Sequence, residues 1–207
     1  MFQVLKITNI FRIILITGLT ALISTGCGGT KVTRIAPDTV TDLSGDWNDT
    51  DSRLVAEEMI QDALTHPWIT YFIRANNKQP VVIVGEVRNI SHEHINVNTF
   101  VNDIARSLIN SGRVQFVASS GERLEIRDER LDQDLHASED TRNPAGRELG
   151  ANFMLKGSIN TIYDTVDKKQ TRFYQIDLDL ISLADNRKVW LGQKKIKKDV
   201  RNPRFRP

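Results

Sequence analysis

This chain has one cysteine among 207 residues, so it can form no intramolecular disulfide and build no cysteine-based metal site. Its four histidines are too scattered to cluster, except where His92 and His94 flank Glu93. Neither charge sign is in excess, with 28 bases against 26 acids. Lys6 and Arg12 stand in the first 26 residues without an acid, so a chain starting at residue 27 would balance at 26 and 26. That removes any general electrostatic case for nucleic-acid binding. Internal repeats and low-complexity tracts are missing. Long apolar runs are missing too: the stretch from Ile13 to Ile23 is too short to cross a bilayer comfortably, which argues against a permanent transmembrane helix.

That short run, preceded by Lys6 and Arg12, has the form of a signal peptide over residues 1–26. Small residues Ser24-Thr25-Gly26 lead to Cys27, the only cysteine, standing where its thiol would take a lipid and where cleavage would leave it as the new amino terminus. More than one acyl chain at Cys27 would anchor the protein stably. Gly28 follows, not the Asp that retains such proteins at the inner membrane, which favours the outer membrane facing the periplasm. Residues 27–46 have no helical or strand period and read as a lipidated linker, about 25 Å from end to end as a flexible chain. Residues 47–207 are long enough for one globular domain with a single core.

Within that domain, Asp49-Thr50-Asp51 is suited to cap a helix from Arg53 to Thr65, whose apolar residues Leu54, Val55, Met59, Ala63 and Leu64 recur at helical spacing until His66-Pro67. Trp68, Ile69, Tyr71, Phe72 and Ile73 then pack a short turn or helix onto a sheet. Val81 to Val87 is a continuous apolar run typical of a central strand. Asn96 and Asn98-Thr99 offer caps for a helix with Phe100, Val101, Ile104, Ala105, Leu108 and Ile109 on one stripe, ended by Gly112. A short strand at Val114–Val117 completes a parallel crossover. Glu122 to Leu135 is expected as a charged surface helix with Leu124, Leu131 and Leu135 inward, and Pro144 to Leu149 as a further helical turn.

The last third alternates. Asn152–Thr165, Arg172–Leu183 and Arg187–Ile196 read as three strands joined by turns at Asp167-Lys168-Lys169 and Asp185-Asn186, with Tyr174, Ile176, Leu178 and Leu180 on one face and Gln175, Asp177 and Asp179 on the other. The predicted fold class is α+β: a single domain with a mixed, largely antiparallel sheet, one βαβ unit followed by a three-stranded meander, flanked by about four helices. Charge is segregated along it. Gly121–Asp140 holds eight acids against three arginines, while Gln193–Pro207 holds Lys194, Lys195, Lys197, Lys198, Arg201, Arg204 and Arg206 against Asp199. The basic tail reads as a lysine-guarded edge strand, the alternative being contact with an acidic partner or anionic polymer.

Catalytic and metal constellations are not apparent. His92 and His94 would share a face in an extended segment, but a third ligand is lacking, and a solvated loop before a helix accounts for them better. Gly85-Glu86-Val87-Arg88-Asn89 lacks phosphate-loop glycines, and the serines at Ser44 and Ser119-Ser120 lack a base. Glu57 and Glu58 are neighbours on a helix and point apart. Neither an enzyme, a cofactor nor a metal is expected.

The segment Leu43-Ser44-Gly45-Asp46-Trp47-Asn48-Asp49-Thr50-Asp51-Ser52-Arg53-Leu54-Val55 resembles the signature of the LpoB family of outer-membrane lipoproteins, activators of class A penicillin-binding proteins. The similarity continues through Pro80–Gly85, Glu93-His94-Ile95-Asn96, Gly150–Gly157 and Lys188-Val189-Trp190. The resemblance implies a mixed sheet flanked by helices and a non-enzymatic domain that docks on a class A penicillin-binding protein and stimulates peptidoglycan synthesis; a monomer is expected. Enteric members carry a long proline-rich spacer, whereas here Gly28–Asp46 is short and would keep the domain near its membrane. A scaffold or assembly role remains the alternative, through a more distant similarity to curli-type secretion lipoproteins. Trp47, Asn48, Asp49, Asp51 and Arg53 carry the signature and are read as capping and seating the first helix; the partner patch itself is not marked, though the sheet edge and its loops are favoured.

Overall fold

Asn48 opens the first helix. Its side-chain oxygen accepts the Asp51 N–H at 3.1 Å while the Asp51 carboxylate accepts the Asn48 N–H at 2.9 Å, a reciprocal box that satisfies two otherwise orphaned donors. Helix α1 (Asp49–Thr65) therefore begins four residues before the expected Arg53, and Asp49 and Asp51 lie inside its first turn, at the positive end of its dipole. The cap is the amide of Asn48, one residue ahead of the acids to which the sequence pattern pointed. Val55, Ala56, Met59 and Ala63 are buried, whereas Leu54, expected beside them, is 38% exposed.

The structure, a computed structural model, describes residues 30–167 and 169–201. The expected signal peptide, Cys27, and the basic residues Arg204 and Arg206 lie outside the described residues. The chain divides into two units, Met1–Thr39 and Val40–Pro207. In the first, residues 30–39 contain one turn, closed by Thr39 N–H to the Ala36 carbonyl at 3.1 Å, and no helix or strand.

The second unit continues with α2 (Trp68–Asn76), β1 (Val81–Asn89), α3 (Asn98–Asn110), β2 (Gln115–Val117), α4 (Ser120–His136), β3 (Phe153–Val166), β4 (Lys169–Ser182) and β5 (Lys188–Arg201). The five strands lie in the order β2-β1-β3-β4-β5. β1 runs parallel to both neighbours, and β3, β4 and β5 are antiparallel, so the mixed sheet with one βαβ unit and a meander is as expected. The hairpins turn through Asp167 (φ 52°) and Asn186 (φ 60°), residue types that tolerate the left-handed region. β5 runs on to Arg201, past the expected Ile196, because its far half stays in register with the start of β4.

One face of the sheet carries the core. Val82, Leu155, Ile159, Tyr174, Ile176, Leu178, Leu180 and Trp190 are buried beneath α1 and α3, which contribute Val55, Met59, Phe100, Val101, Ile104 and Leu108. Gly192 permits the close approach of α1 to β5, since a Cβ there would fall 2.7 Å from Met59 Sδ. Trp68 and Phe72 of α2 meet Phe153 edge-on with centroids 5.4 and 5.2 Å away, but Tyr71 is 64% exposed, so the aromatic cluster is core only in part. α3 is capped differently from expectation: its N-cap is Val97, which makes no side-chain cap bond, while the Asn96 side chain accepts the Asn98 N–H at 3.1 Å.

Two expectations fail. Leu124, Leu131 and Leu135 of α4 point away from the chain, and no residue of that helix is buried. Its half-buried side is Arg123, Arg130 and Gln133. Polar contacts hold that side: Arg127 and Arg130 bond Glu148 at 2.9 and 3.2 Å, and Gln133 accepts the Asn143 N–H at 3.0 Å. Pro144–Leu149 makes a turn and no helix, because Gly146 takes φ 81°, outside the right-handed helical region.

On β5 the lysines divide. Lys194 and Lys198 turn inward to Glu58 and Asp51 of α1, while Lys195 and Lys197 face solvent. Asp51, 3% exposed, thus serves both the capping box and an ion pair with Lys198 at 2.5 Å. Asp51→Ala is expected to lower the unfolding free energy by about 2 to 4 kcal/mol, since it strands a cap donor and an inward ammonium. Urea denaturation checks this, and a midpoint equal to that of the parent would show that Asp51 does not seat α1.

Candidate functional site

Glu93 precedes α3 in a loop where side chains alternate: His92 and His94 are exposed and Glu93 turns inward. Its carboxylate collects four donors from three parts of the chain: Trp47, β3 and β4. One oxygen accepts the Trp47 N–H at 2.8 Å; the other accepts the hydroxyls of Tyr163 at 2.5 Å and Tyr174 at 2.6 Å and lies 3.4 Å from the Arg172 guanidinium. Its side chain is 14% exposed.

The signature residues gather around this carboxylate. Trp47 lies edge-on to Tyr174 with centroids 5.5 Å apart, and its indole N–H donates to Ser52 at 2.9 Å. Arg172 pairs with Asp46 and sits 5.4 Å from the Tyr163 ring centroid. Lys198 reaches Asp51, the Asp46 carbonyl at 3.0 Å and Asp42 at 3.7 Å. Asp42, in turn, accepts from the Asn48 amide at 2.7 Å. The segment Asp42–Ser52 is therefore latched across β3, β4 and β5 by four acids and two bases. Gly45 lies where a Cβ would run into Val200, which explains a glycine there.

Chemically this arrangement holds chain segments together. Every donor around Glu93 comes from the protein, and Trp47, Asn48, Asp49, Asp51 and Arg53 serve the entry to α1 in place of forming an outward patch; Arg53 pairs with Glu57 one turn on at 3.0 Å. His92 makes a weak 3.4 Å contact with Thr161, and among the described residues no group of three His, Cys, Asp or Glu side chains could hold a metal ion. The solvated-loop reading thus fits both histidines and misses Glu93. Spacing and periodicity do not mark that residue, because its partners stand 46 to 81 positions away, and only the family motif Glu93-His94-Ile95-Asn96 includes it.

Three surfaces remain open. A cleft of about 770 Å³ lies between α2 and the β4–β5 turn, lined by Tyr71, Phe72, Asn76, Asn152, Leu183 and Arg187 among others. The face of the sheet away from α1 and α3 is largely polar, with Asp177, Asp179, Gln193, Lys195 and Lys197, and a few apolar positions such as Ile162 and Leu191. The third is the outward side of α4.

The carboxylate shapes its neighbours' acidity. Burial first, then the bond to Glu93, pushes the Tyr163 hydroxyl from 10.0 up to about 12, and the same causes push Tyr174 upward as well. Both phenols stay protonated in the fold beyond the pH at which they ionise in the unfolded chain. The contribution of Tyr163 is complete below about pH 10 and is lost as pH rises through about 12, and that of Tyr174 persists higher still. Urea unfolding across that range should show falling stability, with a shallower fall in Tyr163→Phe; parallel curves would remove the hydroxyl from the account. Glu93→Ala is expected to cost about 3 kcal/mol or more by stranding its donors. An unchanged melting curve would contradict that.

Comparison with known proteins places this geometry. The family model for the peptidoglycan-synthase activator LpoB matches residues 51–196, from the first turn of α1 almost to the end of β5. Among solved structures, the LpoB C-terminal domain from Salmonella enterica aligns at 18% identity and TM-score 0.35, covering 69% of this chain and 97% of that one. The LpoB C-terminal domain from Escherichia coli aligns at 16% and 0.37, covering 69% and 98%. The NMR structure of E. coli LpoB aligns at 16% and 0.36, covering 86% of each chain. No curated protein sequence matches. With its family model spanning both the helix that Asn48 caps and the strands that Glu93 ties together, the chain belongs to the LpoB family of peptidoglycan-synthase activators.

Proposed function

We propose that this protein is a non-enzymatic lipoprotein, anchored by Cys27 in the outer membrane and facing the periplasm, that binds a class A penicillin-binding protein and raises its peptidoglycan synthesis. The observation that carries the reading is the family match over residues 51–196. The inward use of the signature residues supports it: what they build is a rigid body, and a rigid body can act by presenting a surface. Activation then follows from linkage. The synthase has a less active and a more active state, and the lipoprotein shifts the balance only by as much as it prefers the second. With Asp42 and Asp46 latched to the domain, the segment that joins it to Cys27 is shorter still than Gly28–Asp46 and keeps the domain near the membrane that holds it, so the synthase reaches outward to meet it or the periplasm is narrow there.

A scaffold role has one structural argument, the 14-residue edge strand β5, open on one side. Its outward Lys195 and Lys197 oppose edge-to-edge pairing with a second copy, so the monomeric regulator is the better reading. Glycan polymerisation by the purified class A synthase of the same organism, with and without the full-length protein, tests the two. The expected result is faster polymerisation together with direct binding. Neither binding nor acceleration at micromolar folded protein, with concentration-dependent assembly, would turn the assignment to a scaffold.

A further inference from the structure

Helix α4 carries its apolar stripe on the wrong side for a core. Leu124, Leu131 and Leu135 fall within a narrow arc of one helical face, seven and four residues apart, and are 61%, 59% and 79% exposed. Its half-buried residues, Arg123, Arg130 and Gln133, lie on roughly the opposite side and are polar. An amphipathic helix laid down on its polar side with its leucines outward is the reverse of the usual arrangement.

The helix does not need those leucines to keep its shape. Ser119 and Glu122 form a complete capping box, and the Ser119 bonds hold the Glu122 carboxyl below its ordinary range. Glu129 accepts from Gln133 one turn on at 2.9 Å, and His136 lies 3.2 Å from Asp132. Glu148 clamps Arg127 and Arg130 from the following loop. The apolar face is thus presented by a preformed element, which cuts the ordering cost of binding.

Charge limits what can cover it. Asp128 and Asp132 border the stripe on one side and Asp134 on the other; Arg127 is taken by Glu148, Arg142 lies 3.8 Å from Asp134 and His136 beside Asp132, which leaves Asp128 without an ion-pair partner among the described residues. Two such helices facing each other would oppose acid to acid, which disfavours pairing of α4 with its copy. The fitting occupant is a basic surface with an apolar groove, into which one helical face inserts by its i, i+7 and i+11 residues.

Resting on the activator reading above, we propose that the Leu124–Leu131–Leu135 face of α4 is the surface on which the synthase docks, through a basic, apolar groove of its own. The test measures binding of the full-length protein, in detergent, to the purified class A synthase at several salt concentrations. A Leu124→Ser, Leu131→Ser double variant should bind about tenfold more weakly or worse, with an unchanged melting curve because neither residue is buried. Asp128→Lys with Asp132→Lys should weaken binding and flatten its salt dependence. Ile162→Ser and Leu191→Ser, at equally exposed positions on the sheet, should bind as the parent does.

If the parent binds and the leucine variant binds equally well, α4 is not the docking surface, while the activator reading stands. If the parent itself does not bind, the activator reading fails and takes this one with it. Sedimentation of the same samples supplies the last outcome: self-association of the parent that the leucine variant abolishes would make a second copy the occupant and overturn the synthase in that role.

Discussion

A carboxylate withdrawn from water is tolerable only when donors replace the hydration it has lost, and Glu93 meets that demand with four donors from three distant segments at once. The arrangement of this end of the domain follows from it. Satisfying Glu93 draws Trp47 onto Tyr174, sets Asn48 where it can cap α1, and aligns β3 and β4 so that Tyr163, Arg172 and Tyr174 converge. Lys198 completes the closure from β5. Such a network rewards full satisfaction and penalises partial satisfaction, so these segments are coupled far more tightly than their separate hydrogen bonds suggest.

Much of the fold was legible because its elements announce themselves by period. The stripe Phe100-Val101-Ile104-Leu108 identifies α3, and the alternation Tyr174-Ile176-Leu178-Leu180 marks both the strand and its buried face. Turn residues located the hairpins to within a residue or two. Where the reading went astray, the deciding interaction was not local. Leucines at helical spacing suggest an inward stripe on α4, yet which side faces the chain is settled by Arg127, Arg130 and Gln133 meeting Glu148 and Asn143 in a later loop. Glu93 looked solvated beside two histidines because its tyrosine partners come from strands much further along. Gly146 stops the expected helical turn through a conformation that spacing does not reveal.

The two charge blocks, which look alike as solvated surface in the sequence, behave differently once folded. Two of the five lysines on β5, Lys194 and Lys198, are internal fasteners, matched to Glu58 and Asp51 across the α1 interface, and the other three are exposed. The acids of α4 are matched less often: Asp134 lies 3.8 Å from Arg142 and Asp132 lies beside His136, while Asp128 has no ion-pair partner among the described residues. Three arginines stand among them, and Glu148 engages two. Part of the basic strand thus turns to architecture, through Lys194 and Lys198, while the acidic helix keeps most of its field for the outside.

The capping box and clamps that sustain α4 without burial separate two pressures that most helices must satisfy together. Residues facing a core are held by packing, so change there is filtered by foldability before it can be tested for anything else. On α4 that filter is absent from the outward side, and its leucines and aspartates can drift with whatever they meet while the latch around Glu93 stays the same. A lineage could exchange one binding partner for another by rewriting a single helical face, and the rest of the molecule would carry no record of the change.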